Sequence, residues 1–477
     1  MSNSTSKTDI SLIDALIPVF VLIGLLAYNV FIFGDDALSG SNQFMLLIGG
    51  AVAAVIGFKN KISFNEMMDH VQHNVMSTTG AILILLMVGA LSGTWLVSGI
   101  IPAMIYYGLE ILNPTIFLAA TVLISSIISI ATGSSWTTSA TVGIALIGIG
   151  NALGIPMGMT AGAVLSGAYF GDKMSPLSDT TNLAPAMAGG ELFSHIRYMT
   201  ITTIPTYIVT LIVFVILGLT IDISGQTDIG SLQNEIQATF NINGWLFLVP
   251  LGVIFMIVKK TPPLIALLIG TLLGALFALI FQPSIVVGAL DFNFVNAYKG
   301  ILNAITVNTN VETANPILNE LFSSSGMYGM LGTIWLILCA MVFGGFMDGI
   351  GALNKLSTSM LKVAKTTFGL FASTVGSCVA LNLTASDQYL AIVVPGKMFS
   401  KAYREKGLAP ENLSRTLEDS GTVTSVLIPW NTCGAYHSGV LGVPVASYFM
   451  YSIFNWLSPI TTLVVAAIGY KIKKLQS

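Results

Sequence analysis

Charged residues are scarce in this chain. Only 9% of its 477 residues are Asp, Glu, Lys or Arg, whereas 54% are hydrophobic; an ordinary soluble domain has about 25% charged residues. A water-soluble fold of this length could not bury so much apolar surface. The net charge of −3 also provides no basic surface for a nucleic-acid partner. The composition therefore excludes a soluble globular protein and argues against binding to nucleic acid.

Cysteine and histidine are also rare. The three cysteines, Cys339, Cys378 and Cys433, all lie in apolar segments, and the four histidines show no spacing typical of a metal or catalytic site. Small buried thiols are the preferred interpretation, rather than a disulfide framework or a zinc site. A membrane enzyme is disfavoured because no nucleophile–base pair is recognisable, and no cofactor is predicted.

What the chain does contain is long apolar runs. Residues 10–33 carry one charge, Asp14, and residues 199–219 carry none. Each run exceeds the roughly 20 residues that a helix needs to cross a hydrocarbon core. Isolated strands are excluded because lipid offers no partners to open backbone groups. The sequence thus predicts an all-α polytopic membrane protein whose main partner is the lipid bilayer.

The basic residues are distributed unevenly between the predicted loops. When the apolar runs alternate across the membrane, 16 of the 19 lysines and arginines fall on one side, among them Lys7, Lys259, Lys260 and the lysines of 471–474. Cytoplasmic loops carry such an excess. We therefore predict a multi-pass protein of a bacterial inner membrane with both termini in the cytoplasm.

Two segments are too short for the two spans that their flanks would require. About 30 mostly apolar residues separate Lys365 from Lys397, and both lysines are on the predicted cytoplasmic side. Two spans would need about 40 residues, so residues 366–400 are predicted to form a re-entrant hairpin that enters from the cytoplasm. Residues 114–150 are predicted to form a second hairpin that enters from outside. Aligning the polar tips pairs Thr132 with Thr384, Ser134 with Ser386, and Ser135 with Asp387.

A helix interrupted by polar residues is predicted after each hairpin, over residues 157–197 and 411–436. Pro176 and the neighbouring Ser and Thr residues interrupt the first. Superposing Asn182 on Asn431 brings the two segments into approximate register. The order of hairpin and broken helix thus occurs twice with opposite orientation, which is typical of secondary transporters built from inverted-topology repeats.

These predictions divide the chain into four parts. N-terminal transmembrane helices occupy residues 1–78, and the first repeat occupies residues 79–219. Connecting helices and an external segment occupy residues 220–326. The second repeat and a C-terminal helix occupy residues 327–477.

The polar tips and breaks supply the candidate binding residues. A carboxylate among hydroxyl and amide oxygens can bind either a hard cation or a proton, and competition between the two is the simplest chemistry of exchange. Sodium is predicted at Asp172, Asp179 and Asp387. The full set of predicted cation- or proton-binding residues is Asp172, Asp179, Asp387, Asp419, Ser175, Thr181, Asn182, Thr132, Ser134, Thr384, Ser386, Asn431 and Thr432.

Several other polar residues have competing interpretations. Lys173 either pairs with a carboxylate and tunes its proton affinity or extends to the membrane interface. Arg415 and Glu418 are interpreted as a pair on a helix surface at the cytoplasmic rim. His195 is expected to face lipid headgroups, and His437 is a weaker candidate ligand.

The segment GDKMSPLSDTTNLAPAMAGGELFSHIRYM (171–199) closely resembles a motif of the NhaC family of Na⁺/H⁺ antiporters. The resemblance extends to SDQYLAIVVPGKMF (386–399) and LEDSGTVTSVLIPWNTCGAY (417–436). It implies Na⁺ and H⁺ as transported ions, inverted repeats, a homodimer with a scaffold and a moving transport domain, and roles in the motifs for Asp172, Asp179, Thr181, Asn182, Asp387, Asp419, Asn431 and Thr432. The family also includes exchangers of malate for sodium-lactate.

Two function hypotheses follow. The first is sodium/proton antiport by alternating access at carboxylates near the bilayer midplane. The second is sodium-coupled exchange of a small organic acid, or transport of another small carboxylate or amino acid. A site for an anionic substrate needs a cationic group nearby. Lys173 is the only strong cation among the predicted site residues, and this scarcity disfavours the second hypothesis. A channel fits poorly with hairpins that meet at the midplane.

Overall fold

The structure is a computed structural model, which describes residues 10–33, 37, 40–111, 113–221 and 229–475. Within these ranges the helices are joined by turns and irregular segments, and two short antiparallel strands are present, β1 (Thr309–Asn310) and β2 (Ser323–Ser324). Lys7, on which the predicted orientation of the N-terminus depends, lies outside the described residues.

The helices are numbered in chain order. Those up to residue 220 are α1 (Leu12–Phe33), α2 (Ser41–Lys59), α3 (Phe64–Ser77), α4 (Thr79–Val97), α5 (Ile100–Ile111), α6 (Pro114–Thr132), α7 (Ser135–Thr138), α8 (Ile144–Ala152), α9 (Met157–Met174), α10 (Asp179–Ala188) and α11 (Leu192–Thr220). A π-helical turn, Ser139–Gly143, joins α7 to α8.

The middle of the chain contains α12 (Ile229–Thr239), α13 (Leu248–Val258), α14 (Pro263–Phe281), α15 (Pro283–Val287), α16 (Phe294–Thr306), α17 (Pro316–Leu321) and α18 (Gly326–Gly329). The last part contains α19 (Leu331–Gly349), α20 (Ala352–Val363), α21 (Thr367–Thr384), α22 (Gln388–Glu405), α23 (Pro410–Leu417), α24 (Thr432–Leu441), α25 (Val445–Tyr448) and α26 (Ile453–Ala467). Three further turns are 3-10 or π helical: Gly244–Phe247, Glu418–Thr422 and Ser425–Leu427.

Eight helical stretches of the described chain are long and apolar enough to cross a membrane, and a ninth candidate is the pair Ile229–Thr239 and Gly244–Val258, bent by 88°. This confirms an all-α multi-pass membrane protein. Both helices that precede the polar tips, α6 and α21, belong to the eight. The re-entrant course of the two hairpins and their inverted repetition stay predictions.

Close packing of α6 against α9 places the first polar tip beside the end of α9. A Cβ atom at Gly167 or Gly171 would lie 2.3 or 2.5 Å from a backbone oxygen of α6. Glycine at these two positions therefore lets the two helices approach as small residues do in membrane bundles. As a result, the last turn of α9, with Asp172 and Lys173, lies next to the tip that follows α6.

The interrupted helices differ in detail from the prediction. In the first, α9 ends at Met174 and α10 begins at Asp179, so the predicted interruption around Pro176 is confirmed. The first interrupted helix, predicted to extend to residue 197, ends earlier, because the next helix, α11, already begins at Leu192. In the second, the chain stays helical from Pro410 through the π turn Glu418–Thr422 and is interrupted only over 428–431. Asp419 therefore lies inside a continuous helical stretch and not in the interruption.

Candidate functional site

A cavity of about 680 Å³ is lined by residues from both polar tips, from the first helix interruption and from α24. Three carboxylates line it: Asp172, Asp179 and Asp387. Thr132, Ser134, Asn182 and Thr432 line it as well. The remaining predicted residues lie outside its lining: Ser175, Thr181, Thr384, Ser386, Asn431, Asp419 and Lys173.

The first tip binds a carboxylate that comes from another helix. Ser134 caps α7 by accepting a hydrogen bond from the Thr137 backbone N–H (3.1 Å). Ser135 then donates both its backbone N–H (3.0 Å) and its hydroxyl (2.7 Å) to one oxygen of Asp172. The first N–H groups of a helix have no partner within it, and the positive end of the helix dipole favours an anion there. The geometry therefore holds the Asp172 carboxylate at the start of the 135–152 helical segment.

The second tip carries its own carboxylate. Asp387 caps α22 by accepting a hydrogen bond from the Leu390 backbone N–H (3.0 Å). The residue before it, Ser386, has a left-handed backbone (φ +60°), as does Gly133 (φ +69°) before Ser134. By conformation, Asp387 therefore corresponds to Ser134. The predicted alignment of Ser135 with Asp387 is displaced by one residue.

Most of the predicted neutral residues that lie outside the lining stabilise the backbone around the cavity. Ser175 donates its hydroxyl to the Ile130 carbonyl (2.8 Å), and Thr181 donates to the carbonyls of Asp172 and Lys173 (3.2 Å each). Thr384 donates to the carbonyl one turn earlier in α21 (2.7 Å). The Ser386 carbonyl accepts from the Thr432 backbone N–H (2.9 Å), which ties the second tip to the second interruption.

Asn182 and Asn431 are not equivalent. Asn431 caps α24 by accepting from the Cys433 backbone N–H (3.0 Å) and donates to the Asn382 carbonyl (3.1 Å). The cap of α10 is Ser178, whereas Asn182 is exposed and donates to the Pro176 and Ser178 carbonyls. Helix starts therefore align Asn431 with Ser178, and the predicted superposition on Asn182 is wrong.

Lys173 and Asp419 form an ion pair away from the cavity. Neither side chain is accessible to solvent. The other Asp419 oxygen accepts from the hydroxyls of Thr202 (2.8 Å) and Thr462. The interpretation that Lys173 pairs with a carboxylate is thus confirmed. Asp172 and Lys173 are neighbours in sequence but face different surroundings. Asp172 lines the cavity, whereas Lys173 is buried against Asp419.

Three polar residues that were assigned to the rim or to lipid headgroups are buried. Arg415 and Glu418 are both fully buried, and across the described residues the Arg415 guanidinium has no hydrogen-bond partner, so the surface-pair interpretation is wrong. His195 is also fully buried, with Nδ1 at 2.7 Å from the Ser414 hydroxyl, and does not face headgroups. His437 lies with Nδ1 at 2.9 Å from the Ser139 hydroxyl and is not part of the cavity lining.

The sequence interpretation missed several lining residues. The Trp136 and Tyr436 rings are stacked, with their centroids 3.9 Å apart, and this contact joins the first tip to α24. Gln388 and Tyr389 line the cavity next to Asp387, and Lys260 lines it as an exposed lysine. Ser135 was used only in aligning the tips. The sequence signal that could have identified Ser135 as a donor was its position as the first residue of a helix after a turn, because the backbone N–H of such a residue has no partner within the helix.

The three acids share a cavity without forming a compact ligand set. In the ranges that the structure covers, no three His, Cys, Asp or Glu side chains are grouped closely enough to hold one metal ion. A cation bound here would therefore be held by one or two carboxylates, with neutral oxygens completing its coordination.

Comparisons with known proteins find relatives of this chain among antiporters. The model of the Na⁺/H⁺ antiporter family matches residues 167–470, which include all three acids. The chain is 35% identical to the Na⁺/H⁺ antiporter NhaC of Alkalihalophilus pseudofirmus, over 89% of this chain and 90% of that one. It is 36% identical to the malate-2H⁺/Na⁺-lactate antiporter of Bacillus subtilis (90% and 89%) and 34% identical to the arginine/ornithine antiporter ArcD of Halobacterium salinarum (96% and 92%).

Proposed function

Because this chain belongs to the Na⁺/H⁺ antiporter family, we propose that it exchanges sodium ions for protons across a bacterial inner membrane, at the cavity lined by Asp172, Asp179 and Asp387. Sodium and protons compete for the same carboxylates. A carboxylate that has released its proton binds Na⁺, and one that has released Na⁺ takes up a proton.

One observation carries this proposal: each polar tip brings one carboxylate to the start of a helix at the wall of a single cavity. In the first half Asp172 accepts two hydrogen bonds from Ser135, and in the second half Asp387 caps its own helix. Hydroxyls of Thr132 and Thr432 supply neutral oxygens around these acids. Interrupted helices that expose such groups are the usual ion sites of secondary transporters.

This proposal also assigns the side of the membrane to which the cavity opens. Its lining includes Ser77, Thr78 and Lys260. Ser77 and Thr78 lie at the end of α3, which follows Lys59 and Lys61; these two lysines and Lys260 are among the basic residues assigned to the cytoplasm. The described conformation is therefore open to the cytoplasm. Exchange requires a second conformation that is open to the outside, and we propose that it is reached when repeats 79–219 and 327–477 move against a scaffold. We also propose that the protein is a homodimer.

A second candidate function is exchange of a small organic acid with the same sodium site. The observation that favours it is the exposed Lys260, a cation in the cavity lining that, among the described residues, forms no ion pair of the kind that Lys173 forms. The volume of about 680 Å³ also falls within the usual range for small-molecule sites. One relative is named for malate and lactate exchange.

Transport by purified protein in liposomes with an internal pH dye distinguishes the two functions. An imposed Na⁺ gradient without any organic acid should move protons, and both Asp172→Asn and Asp387→Asn should lower this flux by about 100-fold or more. Glu66→Gln, an exposed acid of α3, is the control and should transport normally. Proton flux that starts only when malate, lactate or an amino acid is added would overturn the simple antiporter and support the organic-acid exchanger, for which Lys260→Gln should then weaken substrate affinity.

A further inference from the structure

We propose that an apolar groove between α1, α19 and α24 binds an acyl chain of a membrane phospholipid, and that this chain packs behind the second helix interruption. The groove has a volume of about 560 Å³. It shares no lining residue with the cavity that holds Asp172, Asp179 and Asp387. The inference therefore goes beyond the proposed exchange and does not depend on which ions the protein carries.

The lining of the groove suits hydrocarbon. Among the described residues that form it, none is charged. Its side chains with polar atoms are those of Asn42, Thr333, Ser438 and Trp430. The Asn42 side-chain oxygen is already engaged, because it accepts a hydrogen bond from the Asn29 amide (3.0 Å). Water finds few partners in such a space, and an apolar cavity of this kind favours an apolar occupant.

The groove is continuous with the surface that faces the bilayer. Ile23 and Val30 of α1 belong to its lining and are exposed, whereas Leu26 of α1 and Leu336 of α19 are buried and form its floor. Both α1 and the helical stretch that contains α19 are candidate membrane spans. The exposed edge therefore lies against lipid, and an acyl chain can enter from the side without crossing water.

The predicted orientation places the groove in the outer leaflet. The helix α2 ends at Lys59, and Lys355 follows α19; both lysines are assigned to the cytoplasm. The lining residues Asn42 and Leu336 lie near the starts of these two helices, at the opposite end. The acyl chain therefore comes from a phospholipid of the outer leaflet.

The size of the groove favours an acyl chain over a segment of protein. An α-helix with its side chains is about 10 Å across, so a volume of about 560 Å³ would hold little more than roughly one helical turn. An extended hydrocarbon chain is much thinner and fits along the whole groove. A helix from a second copy of the chain would cover the edge without filling the floor.

The helix α24 separates the groove from the ion cavity. Thr432 and Tyr436 line the cavity, whereas Ala435 and Gly439 line the groove. Residues four apart share a face of a helix, so the two sites lie on different faces of α24. A chain in the groove therefore packs against the side of α24 that is turned away from the ions.

Trp430 connects the groove to the second polar tip. Pro429 and Trp430, both in the second interruption, belong to the lining of the groove. The Trp430 indole N–H donates to the Leu383 carbonyl (2.9 Å), four residues before Asp387. An acyl chain packed against Trp430 therefore supports the ring that holds the interruption to the tip.

Photolabelling from within the bilayer tests this inference. Purified protein is reconstituted into vesicles of phosphatidylethanolamine and phosphatidylglycerol, part of which carry a diazirine on one acyl chain, and mass spectrometry locates the labels. We expect labels on the buried floor residues Leu26, Leu336 and Ala435. Labels confined to exposed residues would overturn the inference. Labels on the floor without any on Pro429 or Trp430 would overturn the contact with the interruption.

Variants that fill the groove provide the second arm of the test. Ala27→Trp and Ala446→Trp each add a large ring at an exposed alanine of the lining. Labelling of the floor should fall about 10-fold, because losing the burial of roughly two methylene groups is sufficient for such a decrease. Ala51→Trp, at an exposed alanine of α2 outside the lining, is the matched control and should label like the wild type. Equal labelling of the floor in all three variants would contradict the site.

The same vesicles distinguish the other outcomes. Cross-linking of Val30→Cys between copies, together with an unlabelled floor, would assign the groove to a contact between two copies and overturn the inference. Floor labelling does not require transport. A protein that exchanges Na⁺ for protons with an unlabelled floor would contradict this inference alone, whereas a labelled floor without exchange would contradict only the proposed function.

Discussion

The two polar tips present a carboxylate to the same cavity by different routes. In the first half the tip residue is neutral Ser134, and the charge comes from Asp172 on α9, which accepts hydrogen bonds from Ser135. In the second half a single residue, Asp387, both caps the helix and carries the charge. Capping the helix start and supplying the carboxylate are thus separate functions, and only in the second tip does one residue perform both.

A second difference concerns the left-handed residue before each cap. Gly133 has no side chain, and a Cβ atom there would lie 2.6 Å from the Leu177 Cβ and 2.7 Å from its carbonyl carbon. The second tip accommodates a serine, Ser386, in the same left-handed region. The first tip is therefore pressed against the interruption between α9 and α10, which explains why a glycine is required there and not in the other tip.

The largest expected effect concerns an acid of the second half that does not line the cavity. Asp419→Leu leaves Lys173 buried without a partner, which should destabilise the protein by about 3–5 kcal/mol. Thermal unfolding in detergent measures this loss, and the double variant Lys173→Met/Asp419→Leu should recover most of it. An unchanged unfolding temperature for the single variant would contradict the buried pair.

The next effect isolates the charge from the cap in the second tip. Asp387→Ser gives both tips a serine cap, so the helix start keeps its hydrogen bond while the carboxylate is lost. We expect Na⁺-driven proton flux to fall about 100-fold, equivalent to roughly 2.7 kcal/mol, with little change in unfolding temperature. Normal flux in this variant would show that Asp387 acts only as a cap.

Gly133→Ser tests the difference in packing between the tips. A left-handed conformation and the contact with Leu177 should together cost about 2–3 kcal/mol of stability. The reverse change, Ser386→Gly, should leave stability and transport close to the wild type, because it removes a side chain from a strained position. Equal effects of the two variants on unfolding temperature would remove the proposed distinction.

Ser135→Ala gives the smallest effect and concerns the first tip alone. It removes the hydroxyl donor to Asp172 and leaves the backbone N–H, which should cost about 1 kcal/mol. The apparent Na⁺ affinity should change about 5-fold. Ser134→Ala, which removes only the cap, is the comparison. Its effect should appear in stability and leave Na⁺ affinity unaltered, and a reversed pattern would contradict the assigned roles.

Much of the site could be predicted from residue chemistry and position. Acids in apolar surroundings are rare and costly, so Asp172, Asp179 and Asp387 stood out as functional candidates, and all three line the cavity. The same argument also selected Asp419, because a sequence does not show which acid will find a cation. Glu418 was misassigned for a related reason, since its spacing to Arg415 fits a surface pair whereas both residues are buried and the Arg415 guanidinium lies over the Tyr198 ring.

Composition and the spacing of polar residues determined that this chain is an α-helical membrane protein with polar interruptions, because lipid leaves no alternative for long apolar runs. The family resemblance followed from motifs that are contiguous in the chain. Only the tertiary structure decided which carboxylates face the cavity, which lysine is neutralised, and how the two tips correspond. Those outcomes depend on contacts between helices more than 200 residues apart, such as Lys173 with Asp419, and on backbone conformation at single residues, neither of which local sequence encodes.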